Sequence, residues 1–174
     1  MPAPAPEPHP GRRWHTREDS GLRLDAEGRL WHDEEPIENP RVALAFRQGL
    51  EREAGGRYLI RFGWDWCVLQ VEDAPYQVLG ARVDGGKLAL RLDDDCEVSL
   101  DGTGLRASPE GVLYASVPGK GDGLEARFSR AAQGQLAPWL EEDGARLLLR
   151  LNDQVHPVGE RSLPSQVRGG SSGG

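Results

Sequence analysis

Along this chain, apolar positions mostly alternate with polar ones in short runs, and in two places the alternation gives way to a helical spacing. Leu22-Arg-Leu-Asp25 alternates, Ala26-Glu-Gly28 interrupts it, and Arg29-Leu-Trp-His32 resumes it. That pattern predicts a hairpin with Gly28 at positive φ. Asn39-Pro40 predicts a helix start: the Asn side chain can accept from free first-turn amides, and a proline at the first helical position gives up no hydrogen bond. Val42, Phe46, Gly49 and Leu50 share one face of that helix, and Ala54-Gly55-Gly56 predicts its stop. Strands are predicted over residues 58–62 and 67–71, separated by Gly63-Trp-Asp-Trp66, and then over 76–80, 87–92 and 97–100. Asp84-Gly85-Gly86 carries a hairpin-turn signature, and Asp101-Gly-Thr-Gly104 and Ser108-Pro-Glu-Gly111 read as further turns.

The order then starts again. Gly28-Arg-Leu-Trp-His32 returns in weaker form as Gly111-Val-Leu-Tyr-Ala115, and each copy precedes a helical stretch and an apolar strand. In the second copy, residues 112–117 predict a strand, 118–123 a glycine-rich loop and 124–128 a short strand. Ser129 then caps a helix that turns Ala132, Leu136, Trp139 and Leu140 inward. Pro138 should kink or end that helix near Ala137. Residues 145–151 form the last long strand. Two helices and about ten strands give an α+β class with mostly antiparallel sheet. The expected organisation is two similar subdomains, residues 21–84 and 85–160, each one helix packed on a sheet. A unit of that size buries little surface alone, so neither half is expected to be stable by itself.

Composition accounts for the ends. Residues 1–20 open with alternating proline and residues 161–174 end in glycine and serine, so both are expected to be disordered tails. The net charge is −7. The C-terminal tail holds Arg161 and Arg168 with no acid, so residues 21–160 are more acidic than the whole. Such a body repels a phosphate backbone and an anionic membrane surface, which argues against nucleic-acid and membrane partners. No stretch reaches the ~20 apolar residues that span a bilayer, and no apolar signal core opens the chain. Cys67 and Cys96 are too few for a disulfide framework and lack zinc spacing. They read as free thiols in a reducing cytoplasm.

Three segments in order carry a family resemblance. Gly28-Arg-Leu-Trp31 with His32-Asp-Glu-Glu-Pro-Ile37, then Val71-Glu-Asp-Ala-Pro-Tyr76, then Gly123-Leu-Glu-Ala-Arg-Phe-Ser-Arg130 are similar to successive motifs of the bacterial family called domain of unknown function 1285. The resemblance runs over residues 21–155. It implies two structurally similar subdomains, each a helix on a curved sheet, and a regulatory or signalling role, with no catalytic activity to carry over. The chain departs from the pattern at two places. Phe62-Gly63 followed by Trp64, Asp65 and Trp66 stands where the family tends to have Thr-Pro before an acidic–lysine pair. Thr103-Gly104 stands where it tends to have His-Pro before Leu-Arg. The chain resembles a diverged member, and a site built on that lysine or that histidine is missing.

Candidate chemistry is sparse. His32 beside Asp33, Glu34 and Glu35 could act as a general base or ligate a metal; equally, the acids could serve the helix that begins after Asn39. Glu72 and Asp73 could hold a hard cation or trade a proton. Neighbours in a strand point to opposite faces, however, so pairing of one with Arg61 or Arg106 is the simpler expectation. Asp93-Asp94-Asp95 lacks calcium-loop spacing and reads as a solvated turn. Gly119-Lys-Gly-Asp-Gly123 lacks the phosphate-loop order, and no serine sits on a nucleophile elbow. Trp64 and Trp66 share a face of an extended segment, with Trp31 close enough in sequence pattern to join them in a binding groove. The leading expectation is a cytoplasmic binding or regulatory module without a cofactor or resident metal, contacting a protein or small ligand through Trp31, Trp64 and Trp66. The alternative is a metal-dependent hydrolase using His32, Glu34, Glu72 or Asp73. Ligand, partner and oligomeric state stay open.

Overall fold

The computed structural model describes residues 15–121 and 123–162. Residues 1–14 and 163–174, which make up most of the two expected tails, lie outside the described residues. The chain divides into two compact units, one running to Tyr76 and including Asp93–Asp95, the other formed by the rest. The expected boundary at residue 84 falls in the turn of a hairpin inside the second unit. Residues 77–84 belong to a strand whose pairing is with that unit's sheet.

The first unit holds strands β1 (Leu22–Leu24), β2 (Leu30–His32) and β3 (Glu35–Pro36), helix α1 (Pro40–Gln48), and strands β4 (Leu50–Arg52), β5 (Tyr58–Phe62) and β6 (Asp65–Val71). They form one sheet in the order β3-β2-β1-β6-β5-β4. All its pairings are antiparallel except β1 with β6, where Leu22 sits opposite Leu69. The second unit holds β7 (Tyr76–Asp84), β8 (Lys87–Leu92), β9 (Glu97–Leu100), β10 (Leu105–Ala107), β11 (Leu113–Ser116), β12 (Glu125–Phe128), α2 (Arg130–Leu136), β13 (Leu140–Asp143), β14 (Arg146–Leu151), β15 (Gln154–Pro157) and β16 (Gly159–Glu160). Seven of these form a sheet in the order β16-β10-β11-β12-β7-β8-β9, and β13-β14-β15 form a small meander. The α+β reading with two helices and mostly antiparallel pairing holds.

The sequence repeat is a backbone repeat. In the first hairpin Leu22 pairs with His32, Asp25 N donates to Arg29 O and Gly28 N donates to Asp25 O. In the second, Leu105 pairs with Ala115, Ser108 N donates to Val112 O and Gly111 N donates to Ser108 O. Gly28 and Gly111 both take left-handed φ, +84° and +82°, which their turns require and a side chain would resist. The closing strand repeats too. β6 runs parallel to β1 and delivers Glu72 N to Leu24 O; β16 runs parallel to β10 and delivers Arg161 N to Ala107 O.

Both helix starts follow the sequence. Asn39 Oδ1 accepts from Arg41 N at 3.0 Å, and Ser129 Oγ accepts from Ala132 N at 3.1 Å. α1, however, ends earlier than expected. α1 stops at Gln48 because the chain passes so close to β5 at Gly49 that a Cβ there would stand 2.5 Å from Arg61 O. Leu50, expected on the helix face, opens β4 and is buried in the sheet. Pro138 ends α2 as expected, in a short 3₁₀ turn over Ala137–Trp139, after which Leu140 begins β13. Among the described residues, no helix is long and apolar enough to cross a membrane.

Candidate functional site

The site grows from an uncovered strand edge. β1 joins β6 only from Leu69 onward, which leaves the first half of β6 without a partner on that side. Residues 15–20, expected to belong to the proline-rich tail, fill the gap. Val68 N donates to Arg17 O at 2.8 Å, and Ser20 Oγ donates to Val68 O. A strand edge with unmet backbone groups is a liability, and this strap satisfies it. The strap is pinned further by Arg17 against Asp65 at 2.9 Å, with the Arg17 guanidinium 5.7 Å from the Trp66 ring.

The strap brings His15 to the β2–β3 turn. His32 pairs with Glu35 across that turn, leaving Asp33 and Glu34 as its two linking residues. Asp33 adopts φ +55°, a left-handed conformation that Asp tolerates better than most residues. Its amide donates to Gly21 O at 2.8 Å. His15 Nε2 lies 2.9 Å from Asp33 Oδ2, and the His15 and His32 ring centroids are 4.6 Å apart. Gly21 is the bed of this cluster. A Cβ on it would stand 2.4 Å from Asp33 Oδ1 and 2.7 Å from His15 Cε1.

Next to the cluster is a cleft of about 500 Å³ between α1 and its sheet. Leu22, Ile37, Val42 and Phe46 give it apolar walls, while His15, Thr16, Ser20, His32 and Asp65 give it polar ones. The cleft exists because α1 is not pressed onto the sheet: none of its residues is fully buried, and Val42 is 39% exposed. Phe46 touches Phe62 with ring centroids 5.3 Å apart. Cys67 also lines the cleft, and both cysteines are free and half-buried. Burial pushes the Cys67 thiol pKa up, the Asp65 carboxylate adds to this, and the Ser20 hydroxyl opposes it. At neutral pH Cys67 is therefore a thiol, and a thiol is a poor nucleophile.

Of the sequence candidates, His32 and Trp66 meet at the cleft. Glu34 is exposed at the turn. Glu72 is bound by Arg23 at 2.6 Å rather than by the expected Arg61 or Arg106, which pair with Glu51 and Glu125. Asp73 is half-buried just past β6. Trp31 donates its indole N–H to Asp25 at 2.9 Å and lies beneath Arg23. Trp64 occupies the two-residue turn between β5 and β6 and is 99% exposed, whereas Trp66 lies within β6 and is half-buried. Asp93-Asp94-Asp95 is a turn between β8 and β9, as expected, but of the three only Asp95 is exposed. The Asp93 side chain is 6% exposed and binds Arg47 at 2.8 Å, Asp94 is buried, and Arg47 also donates to Gly28 O. Sequence reasoning missed His15, whose composition-poor surroundings gave no sign that a bare strand edge would order it. In the second unit, Lys87, Asp101, Thr103 and the glycine-rich loop line a wider depression of about 670 Å³.

Two solved structures share this fold. One is the crystal structure of a DUF1285 family protein from Silicibacter pomeroyi DSS-3, with 21% identity and a TM-score of 0.64 over 80% of this chain and 79% of that one. The other is a DUF1285 family protein from Shewanella baltica OS155, with 14% identity and a TM-score of 0.52 over 68% of this chain and 91% of that one. No protein-family model and no curated protein matches the chain. The fold implied by the sequence motifs is thus the fold observed.

Proposed function

We propose that this protein is a binding module that takes one small amphipathic molecule in the cleft beneath α1. The observation that carries the reading is the stance of that helix. Val42 and Phe46 face a space of about 500 Å³ instead of filling it, at a size within the roughly 300–1,000 Å³ of small-molecule sites. A ligand with an apolar body would cover Val42, Phe46, Ile37 and Leu22. Its polar head would meet the hydroxyls of Thr16 and Ser20 and the imidazoles of His15 and His32. Recruitment of a small signal molecule suits the regulatory role that the family resemblance suggests. The hydrolytic alternative draws less support, because Glu72 is tied to Arg23 and, of its four residues, His32 alone lines the cleft.

The test uses an amphipathic aromatic sulfonate, 1-anilinonaphthalene-8-sulfonate, titrated into the full chain in the presence of EDTA. Saturable binding at one site per chain is expected. Val42→Trp adds bulk to the cleft wall at a part-exposed position, and it should weaken that binding by about tenfold or more, a loss of ~1.4 kcal/mol. Unchanged binding in Val42→Trp, with an unchanged unfolding curve, would reject the cleft as the site.

A further inference from the structure

The cluster at the rim of the cleft has a donor set of its own. We infer that His15, His32 and Asp33 form a binding site for a late first-row divalent metal ion of the zinc type. Each of the three offers one ligand atom, and these atoms lie within 4.8 Å of one another. Zinc bonds to nitrogen and oxygen at about 2.0–2.2 Å, so donors around one tetrahedral ion stand roughly 3.3 Å apart. The present spread closes to that value through small side-chain rotations, which the exposure of His32 and Asp33 leaves free.

Donor chemistry selects the ion. Calcium and magnesium favour sets made wholly of oxygen, whereas two imidazoles and one carboxylate suit zinc and its neighbours cobalt and nickel. Three protein donors leave a coordination position for water or an added ligand. A simple ion pair between His15 and Asp33 accounts for two of the groups. It gives no reason for the His32 ring to stand 4.6 Å from that of His15.

The backbone is arranged around the same point. Asp33 holds a left-handed φ of +55°, and unusual backbone conformations of this kind gather at ligand sites. Gly21, itself at φ +71°, makes room for the imidazole and the carboxylate; a Cβ there would strain the backbone and push both side chains out of their present places. The strap that delivers His15 is fixed by hydrogen bonds through Arg17 and Ser20, so His15 arrives with its position already set. His15 and His32 also line the cleft, so a bound metal ion and the cleft's ligand would share these two side chains.

Isothermal titration of the full chain with zinc chloride, after dialysis against chelator and then metal-free buffer, tests it. One ion per chain is expected, together with a rise in Tm. His15→Gln and His32→Ala should each weaken binding by more than about 100-fold, beyond the ~10–100-fold typical of residues that merely orient a ligand. His15 sits on the strap and His32 is exposed, so both variants should match the parent in unfolding measured with EDTA. Cobalt should give visible absorption bands that both variants lose. Controls are His9→Ala, His156→Ala and Cys67→Ser, which should bind zinc as the parent does. Absence of zinc binding in the parent, retention of it in both test variants, or its loss in a control would overturn the assignment. Sulfonate binding measured in EDTA reports on the cleft separately, so either idea can fail alone.

Discussion

In the first unit α1 lies over its sheet with none of its residues fully buried, whereas in the second unit Ala132 and Leu136 of α2 are both completely buried. The two helices occupy the same place in the repeated order. Phe46 and Leu136 each sit four residues ahead of the strand that follows, β4 in one case and β13 in the other. Side-chain size explains the difference. At its inward positions α2 sets the small Ala132 beside Leu136 and can settle close to its sheet, while the bulkier Val42 and Phe46 hold α1 away. One topology therefore yields a packed core in one copy and a cleft in the other. The lesson is that a duplicated frame frees one copy to give up packing for access.

A helix that buries so little needs another anchor, and Arg47 supplies it. Its guanidinium, in a side chain only 17% exposed, binds the nearly buried Asp93 and donates to Gly28 O, so the C-terminal end of α1 is held by charge rather than by apolar contact. Removing one partner of such a pair strands the other, which typically costs about 3–5 kcal/mol. Asp93→Ala should therefore be the most damaging change in the first unit. Hydrogen exchange at the α1 amides should rise while that at α2 stays as it was. Equal loosening of both helices would show that the two are not separately anchored.

Truncating the paired helix positions sharpens the contrast at smaller magnitude. Leu136→Ala removes a fully buried side chain and should cost about 2–5 kcal/mol in urea unfolding. Phe46→Ala removes a larger side chain from a half-buried position beside Phe62 and should cost only about 1–2 kcal/mol. If the Phe46 cost matches that of Leu136, α1 belongs to the core and the space beneath it is not a site.

These contrasts were only partly legible in the chain. The hairpins were, because Gly28 and Gly111 carry their φ requirement in their identity, and so were the helix starts at Asn39 and Ser129, because caps use side chains. The α1 end was not legible: Leu50 continues the apolar stripe, and what stops the helix is the approach of a distant carbonyl, Arg61 O. Asp93 looked like a solvated acid because its partner, Arg47, is far away in sequence. At the site, His32 could be singled out by its neighbours. His15 could not, since it is placed by the backbone of Val68 and backbone groups leave no mark on the sequence of the strap. The closing strands β6 and β16 repeat in register and hydrogen bonding while sharing almost no residue types.

The gentlest test compares the two hairpin turns. Asp25 stands where the second copy has Ser108. Asp25 Oδ1 accepts from Glu27 N and Arg29 N, and its Oδ2 accepts from the Arg29 guanidinium at 3.0 Å and the Trp31 indole at 2.9 Å. Ser108 Oγ accepts only from Val112 N among the described residues, at 3.2 Å. Burial alone would raise the Asp25 pKa; the Trp31 indole, the Arg29 amide and the Arg29 charge outweigh it and hold the carboxyl below its usual 3.8. A group whose pKa is depressed by folding contributes stability that is fully present above the unfolded value and lost as pH falls through the folded one. Asp25→Asn should thus cost about 1–3 kcal/mol near neutral pH, in line with hydrogen bonds made to a charged acceptor. The gap from the parent should shrink as the pH drops below 3.8. Comparing parent with variant cancels the other titrating acids, and the smaller cost of Ser108→Ala should not vary over the same range. A gap for Asp25→Asn that persists undiminished into strong acid would mean that shape, not charge, secures the first hairpin, and the electrostatic contrast between the two copies would be lost.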